Sequence, residues 1–169
     1  MRRSAVVRAV MLLCLTWAAA PASAQEPVTS TVLTVEGDVA TPLNLSLAML
    51  RTYPRTTVIV EDEGRSVSYE GVLLGEILKR AGAPVCAELR GNNMATYILA
   101  TARDGYQVIF SLAEVDPGFT SNNVIVADTI DGKPLFDYQG PVRIVAPKDA
   151  RAARSIRMIE RIQVVRVRK

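Results

Sequence analysis

The sequence predicts an α+β fold with mixed, mainly antiparallel sheets and short helices. β-branched and apolar runs recur at residues 31–37, 56–61, 65–70, 95–102, 106–110, 124–127 and 142–146, and residues 156–167 are extended with alternating arginines. Many of these runs are joined by compact turn signals, Asp62-Glu63-Gly64, Arg103-Asp104-Gly105 and Asp131-Gly132, which make hairpins rather than crossover units. Helical spacing is confined to short stretches, so strands dominate and a doubly wound fold is excluded.

The chain opens on a targeting pattern. Arg2, Arg3 and Arg8 precede an apolar run at residues 9–20, and Ala22-Ser23-Ala24 offers a small-residue cleavage site before Gln25. The run is short for a membrane span. Arg2-Arg3 lacks a twin-arginine context, and Cys14 follows bulky leucines inside the run, which argues against a lipoprotein anchor. The expected division is a signal peptide at 1–24, a loose arm at 25–29 and one domain at 30–169, with a periplasmic or secreted destination.

Charge follows from that division. The chain has 20 basic and 17 acidic residues, and three of the basic ones lie in the leader, so residues 25–169 carry 17 of each. The basic pI near 9.1 therefore belongs to the leader and does not point to nucleic acid or a membrane surface. The balance is uneven, however. Residues 143–169 hold nine basic and two acidic side chains, which suits an anionic ligand or a solvated strand face equally.

Missing residue types limit the chemistry. The chain has no histidine, which excludes imidazole-assisted nucleophiles and imidazole-held haem or zinc. Beyond the leader its only cysteine is Cys86, so no internal disulfide or CxxC pair can form. Burial behind the central helix is expected for that thiol. Glu61, Asp62 and Glu63 at a hairpin tip are expected to be solvated, since calcium needs six or more oxygens from a wrapped loop.

The helices have local signals. Ser46 can cap a helix at residues 47–52, ended by Tyr53-Pro54. In residues 73–81, Leu73, Leu74, Ile77, Leu78 and Ala81 recur at three- and four-residue spacing, opposite Glu76, Lys79 and Arg80. A turn at Gly71 is expected to open this helix, and Gly82 with Pro84 to stop it. Ser111-Leu112-Ala113-Glu114 reads as a capping box opening a very short third helix.

These pieces carry a resemblance. Tyr69-Glu70-Gly71-Val72-Leu73-Leu74, followed by a leucine-rich helix ending in Ala81-Gly82, resembles the molybdopterin-binding domain of the sulfite oxidase family. Val35-Glu36-Gly37-Asp38-Val39 resembles its opening strand, and Asp104-Gly105-Tyr106 its paired-strand turn. Asp131-Gly132-Lys133-Pro134-Leu135, Gly140-Pro141-Val142-Arg143-Ile144-Val145-Ala146-Pro147 and Arg154-Ser155-Ile156-Arg157 resemble its closing segments in order and spacing. The likeness covers nearly all of residues 30–167.

The resemblance implies an oxidoreductase-type fold that cradles a phosphate-bearing pterin with basic residues in its last third. Arg151, Arg154 and Arg157 are the candidate cofactor-binding residues, since guanidinium binds phosphate through paired hydrogen bonds. Their three-residue spacing places them on one side if the segment is helical. In the competing reading they are solvated or pair with Asp149 and Glu160. Asp104 and Tyr106 are candidate substrate-binding rim residues, with turn and sheet roles as the alternative.

One departure stands out. The family's enzymes hold molybdenum through a cysteine before the central helix, and here residues 58–68 contain none. Glu61 or Ser66 would be a harder ligand than thiolate. Molybdopterin is thus an expected cofactor, thiolate-bound molybdenum is not expected, and no catalytic or metal-binding residue is identified. The expected partners are a pterin or related anionic small molecule and an envelope redox protein. The alternative function is a cofactor-free scaffold that binds a partner or solute.

Overall fold

The computed structural model describes residues 30–62 and 64–168. The expected signal peptide, the arm at 25–29 and Glu63 at the hairpin tip lie outside them.

The strands are β1 (Thr31–Gly37), β2 (Leu43–Ser46), β3 (Arg55–Asp62), β4 (Arg65–Leu73), β5 (Thr96–Ala102), β6 (Gln107–Ser111), β7 (Ile125–Ile130), β8 (Lys133–Pro134), β9 (Arg143–Val145) and β10 (Ile159–Arg166). The helices are α1 (Leu47–Arg51), α2 (Leu74–Arg80) and α3 (Leu112–Val115). One sheet runs β2-β1-β10-β5-β6, and the other runs β3-β4-β7-β8 with β9 also paired to β7. Every ladder is antiparallel except β1 with β10. The mixed, mainly antiparallel α+β architecture is therefore the one expected.

The principal core joins the two sheets through α2. Leu33 and Val35 of β1, Ile98 of β5 and Ile162 of β10 meet Ile77 and Leu78 of α2 and Val72, Val126 and Ile144 of the second sheet. A smaller cluster covers the other face of that sheet, with Val67, Tyr69, Ile125, Ala127 and Val145. Strand alternation explains the division: Val126 and Ile144 face one cluster, and their neighbours Ile125, Ala127 and Val145 face the other.

Both expected caps form. Ser46 Oγ accepts the Met49 N–H at 3.2 Å. At α3 the Ser111 N–H donates to Glu114 Oε2 at 2.7 Å, while Ser111 Oγ accepts the Glu114 N–H at 3.3 Å. Helix α2 ends as expected at Gly82, where φ is +73°. The Gly82 N–H reaches Lys79 O and the Ala83 N–H reaches Leu78 O, both at 3.0 Å, which satisfies the last carbonyls.

Two expectations are corrected. Gly71 makes no turn: β4 runs through it to Leu73, with a register shift against β7 between Glu70 and Gly71. A Cβ at Gly71 would lie 2.1 Å from Val126 O, so glycine is required by the close approach of β7. Cys86 is exposed rather than buried behind α2. Its backbone takes φ +54°, and its N–H donates to the buried Asp116 carboxylate. Ala83 and Val85 fill the apolar space instead, and the thiol stays outside.

Candidate functional site

The segment between β9 and β10 makes a wall. Ser155 anchors it, its Oγ accepting the Ala146 N–H at 3.1 Å. The Ile144 N–H donates to Ile156 O at 2.9 Å, and Ala152–Arg154 form one tight 3-10 turn. Tyr106 Oη donates to Ala153 O at 3.0 Å and ties the wall to the start of β6.

This wall borders a cleft with two lobes. Lobe one, about 420 Å³, is lined by Asp104, Tyr106, Tyr138, Ile156 and Met158 among others. Lobe two, about 410 Å³, is lined by Val60, Tyr69, Val145, Ala146, Pro147 and Asp149 among others. Arg143, Ala152, Ser155 and Arg157 line both. Two cations, Arg143 and Arg157, are therefore common to both linings.

The three arginines singled out in the sequence separate here. Arg157 is exposed, lines both lobes and lies over the Tyr138 ring at 5.1 Å from its centroid. Among the described residues no carboxylate pairs with it. Arg154 lines neither lobe and is held by acids. It meets Asp149 at 2.8 Å through both Nε and Nη2, and Glu114 at 2.9 Å, over the Phe110 ring. The hydrogen bonds that it donates to Asp149 and then Glu114 hold its pKa above the usual arginine value. Arg151 is exposed and also lines neither lobe. The helical spacing expected to align the three fails because the turn is a single 3-10 turn and Arg157 lies beyond it.

Asp104 and Tyr106 both line lobe one. The Asp104 carboxylate accepts the Tyr106 N–H at 3.0 Å, a local turn bond.

Arg143 was not singled out from the sequence, yet it is a buried cation at the cleft floor, 6 % exposed. Its guanidinium donates to Tyr69 Oη at 3.1 Å, Gln139 Oε1 at 2.5 Å and Ser155 O at 3.2 Å, and lies 4.8 Å from the Tyr69 ring centroid. The signal was an arginine inside the apolar run Val142-Arg143-Ile144-Val145, where a charge must find internal partners.

The chain's residues fit an oxyanion better than a thiolate-held metal. The exposed Arg157 guanidinium borders the cleft, and a charge-assisted donor of this kind suits phosphate. No thiolate lines either lobe, since Cys86 is elsewhere. Glu61 borders lobe two, but its carboxylate accepts from Ser66 Oγ at 2.5 Å across the β3–β4 hairpin. Among the described residues no group of three or more acidic or thiol side chains is placed to hold a metal ion.

The fold and the cleft define an oxidoreductase-type cofactor domain. The family model described as the oxidoreductase molybdopterin binding domain matches residues 20–169, and the chain belongs to that family. Among solved structures, the chain is similar to the sulfane dehydrogenase SoxCD from Paracoccus pantotrophus, with TM-score 0.64 and 18% identity over 83% of this chain and 39% of that one. The chain spans about two fifths of that protein's length, and the likeness is one of fold. No curated protein matches the chain.

Proposed function

We propose that this protein acts in the periplasm as a binding domain for a pterin cofactor or a related anionic small molecule, without thiolate-supported redox catalysis. The observation that carries this reading is Arg157, an exposed guanidinium between two lobes with no carboxylate partner among the described residues. Arg143, buried and bonded to Tyr69, Gln139 and Ser155, adds a fixed positive charge to the same lining. The exposed Arg157 guanidinium fits the phosphate of a phosphorylated pterin. The metal end of a loaded cofactor would bring oxo-transfer chemistry, but no thiolate lines either lobe to support it.

The test is to titrate pterin monophosphate into wild type and R157A, and to assay pterin and molybdenum in protein purified from a cofactor-competent host. Tight binding that weakens about ten- to a hundredfold in R157A is expected, the worth of a charge-assisted hydrogen bond. Equal affinity in both, or stoichiometric molybdenum, overturns the reading.

A second reading is a cofactor-free scaffold for an envelope protein partner. Phe136, 70 % exposed, favours it, standing beside the half-exposed Tyr138 on the loop that borders the cleft. Absence of pterin in the purified protein, together with binding of an envelope protein that F136A abolishes, would select this reading.

A further inference from the structure

We propose that lobe two is also a peptide groove: an extended segment of a partner protein adds as a strand to the free edge of β3 and places an acidic side chain at Arg157. The inference rests on the availability of Arg157, as the anion-binding reading above does, and adds a second class of ligand that competes with the first.

The inference begins with the direction of backbone groups. In an antiparallel ladder each residue turns both its N–H and its C=O to the same neighbour, and successive residues alternate between the two sides. Ser68 of β4 turns both away from β3: its N–H donates to Asp131 Oδ1 at 3.0 Å, and its O accepts the Asp131 N–H at 2.8 Å. Ile59 stands opposite Ser68, so the N–H and C=O of Ile59 face the other way, and by alternation those of Thr57 and Glu61 do too. Strand β3 ends its sheet, and among the described residues no backbone group pairs with that edge. Lobe two is lined by Ile59, Val60 and Glu61 in succession. Successive side chains point to opposite faces, so a lobe that meets three in a row meets the strand at its edge.

A line of alternating donors and acceptors at strand spacing matches the main chain of another extended segment. The eight residues of β3 include no proline or lysine, which commonly guard an open edge. Thr57 lies outside the lining of lobe two, so the edge runs on past the lobe and suits an internal segment rather than a chain end. A peptide residue opposite Val60 shares the face of Val60, which is the face of Tyr69 and Val145. Arg157 lines the lobe with these residues, and among the described residues no carboxylate pairs with it. The carboxylates already bordering the lobe are engaged, Asp149 by Arg154 and Glu61 by Ser66 on the other face of the sheet. An acidic side chain opposite Val60 therefore supplies the charge that Arg157 lacks.

The experiment titrates a short acetylated and amidated peptide, alternating threonine and valine around a central aspartate, into wild type, R157A and I59P, with pterin monophosphate as the second ligand. Wild type should prefer this peptide about ten- to a hundredfold over its asparagine analogue, and R157A should lose the preference. The residues flanking the aspartate lie opposite Ile59 and Glu61, so methylating their backbone nitrogens should weaken binding about tenfold, whereas methylating the aspartate's own nitrogen should not. I59P removes a donor that faces the edge and none that β4 uses, so it should weaken the peptide about fivefold and bind pterin monophosphate within about twofold of wild type. The methylated peptides make the same test if I59P fails to fold. Equal binding of the aspartate and asparagine peptides, or of the two methylated forms, overturns the proposal. So does self-association that I59P abolishes in a protein that binds no peptide, since a second copy then fills the edge. Pterin monophosphate binding that R157A weakens, without peptide binding, overturns the peptide groove and leaves the anion-binding reading standing. Selective peptide binding with pterin monophosphate insensitive to R157A removes the anion-binding reading alone.

Discussion

The Arg157 guanidinium lies over the ring of Tyr138, 5.1 Å from its centroid, and this contact stands where Arg154 has two carboxylates. A cation held against an aromatic face keeps its donors available, since the ring attracts charge without accepting strong hydrogen bonds. Two arginines three residues apart thus have different work: Arg154 fastens the cleft wall, and Arg157 faces the space beside it.

For Arg157, charge alone should not restore binding. R157K should recover only part of the affinity for a phosphate ligand that R157A removes, because an ammonium lacks the paired donors of guanidinium. R151A should bind like wild type, since Arg151 lines neither lobe. Affinity should fall as salt rises, because Arg157 is exposed and screened. Calorimetric titration at two ionic strengths checks all three outcomes.

For Arg154, the expected effect is on stability. Its side chain is 35% exposed, so screening limits its ion pairs to Glu114 and Asp149 to about 1 kcal/mol in total. R154A should lower Tm by about 2–4 °C for a domain of this size. Removal of the packing against Phe110 adds to this. Thermal melts followed by circular dichroism provide the measurement.

The same network gives an acid dependence. Partial burial pushes the Glu114 carboxyl up, but the hydrogen bond from Arg154 and those from Ser111 outweigh it, leaving the pKa below its usual value. The folded-state pKa is thus below that of the unfolded chain, about 4.3. The stabilisation is complete above that value and is lost as pH falls through the lower, folded one. Between wild type and R154A, the difference in Tm should therefore shrink on acidification below about pH 4. A constant difference across that range would show that Arg154 acts through packing alone.

For Arg55, removal should be costlier. It forks onto Asp128 at 3.0 and 2.6 Å and onto Glu70 at 2.9 Å, joining β3, β4 and β7. The Asp128 side chain is only 2% exposed, so R55M would leave a buried carboxylate uncompensated. A loss of about 3–5 kcal/mol is expected, with partial recovery in R55M/D128L, which removes both charges. Urea unfolding of the single and double variants checks it.

Cys86 supplies a chemical check on the fold. A maleimide should label the folded protein at Cys86 without denaturant, because the residue is exposed. C86A should leave ligand affinity unchanged, since the residue lines neither lobe.

The sequence by itself determined the class of fold. Alternating apolar residues in β1 and β5, the Ser46 and Ser111 caps and the Ala81-Gly82 stop are local signals, and each acts within a few residues of its own position. It also determined that the cleft would have no thiolate from residues 58–68. Tertiary structure decided how charges were used. Arg151, Arg154 and Arg157 look alike at three-residue spacing, but Glu114, forty residues away, occupies Arg154. Tyr69, seventy-four residues away, helps hold Arg143 inside the protein. Gly71 reads as a turn residue until β7 approaches too closely for any Cβ. Hydrophobic spacing and capping act through neighbours in the chain and can be read along it. Ion pairing and close packing act through neighbours in space, which only the assembled sheets bring together.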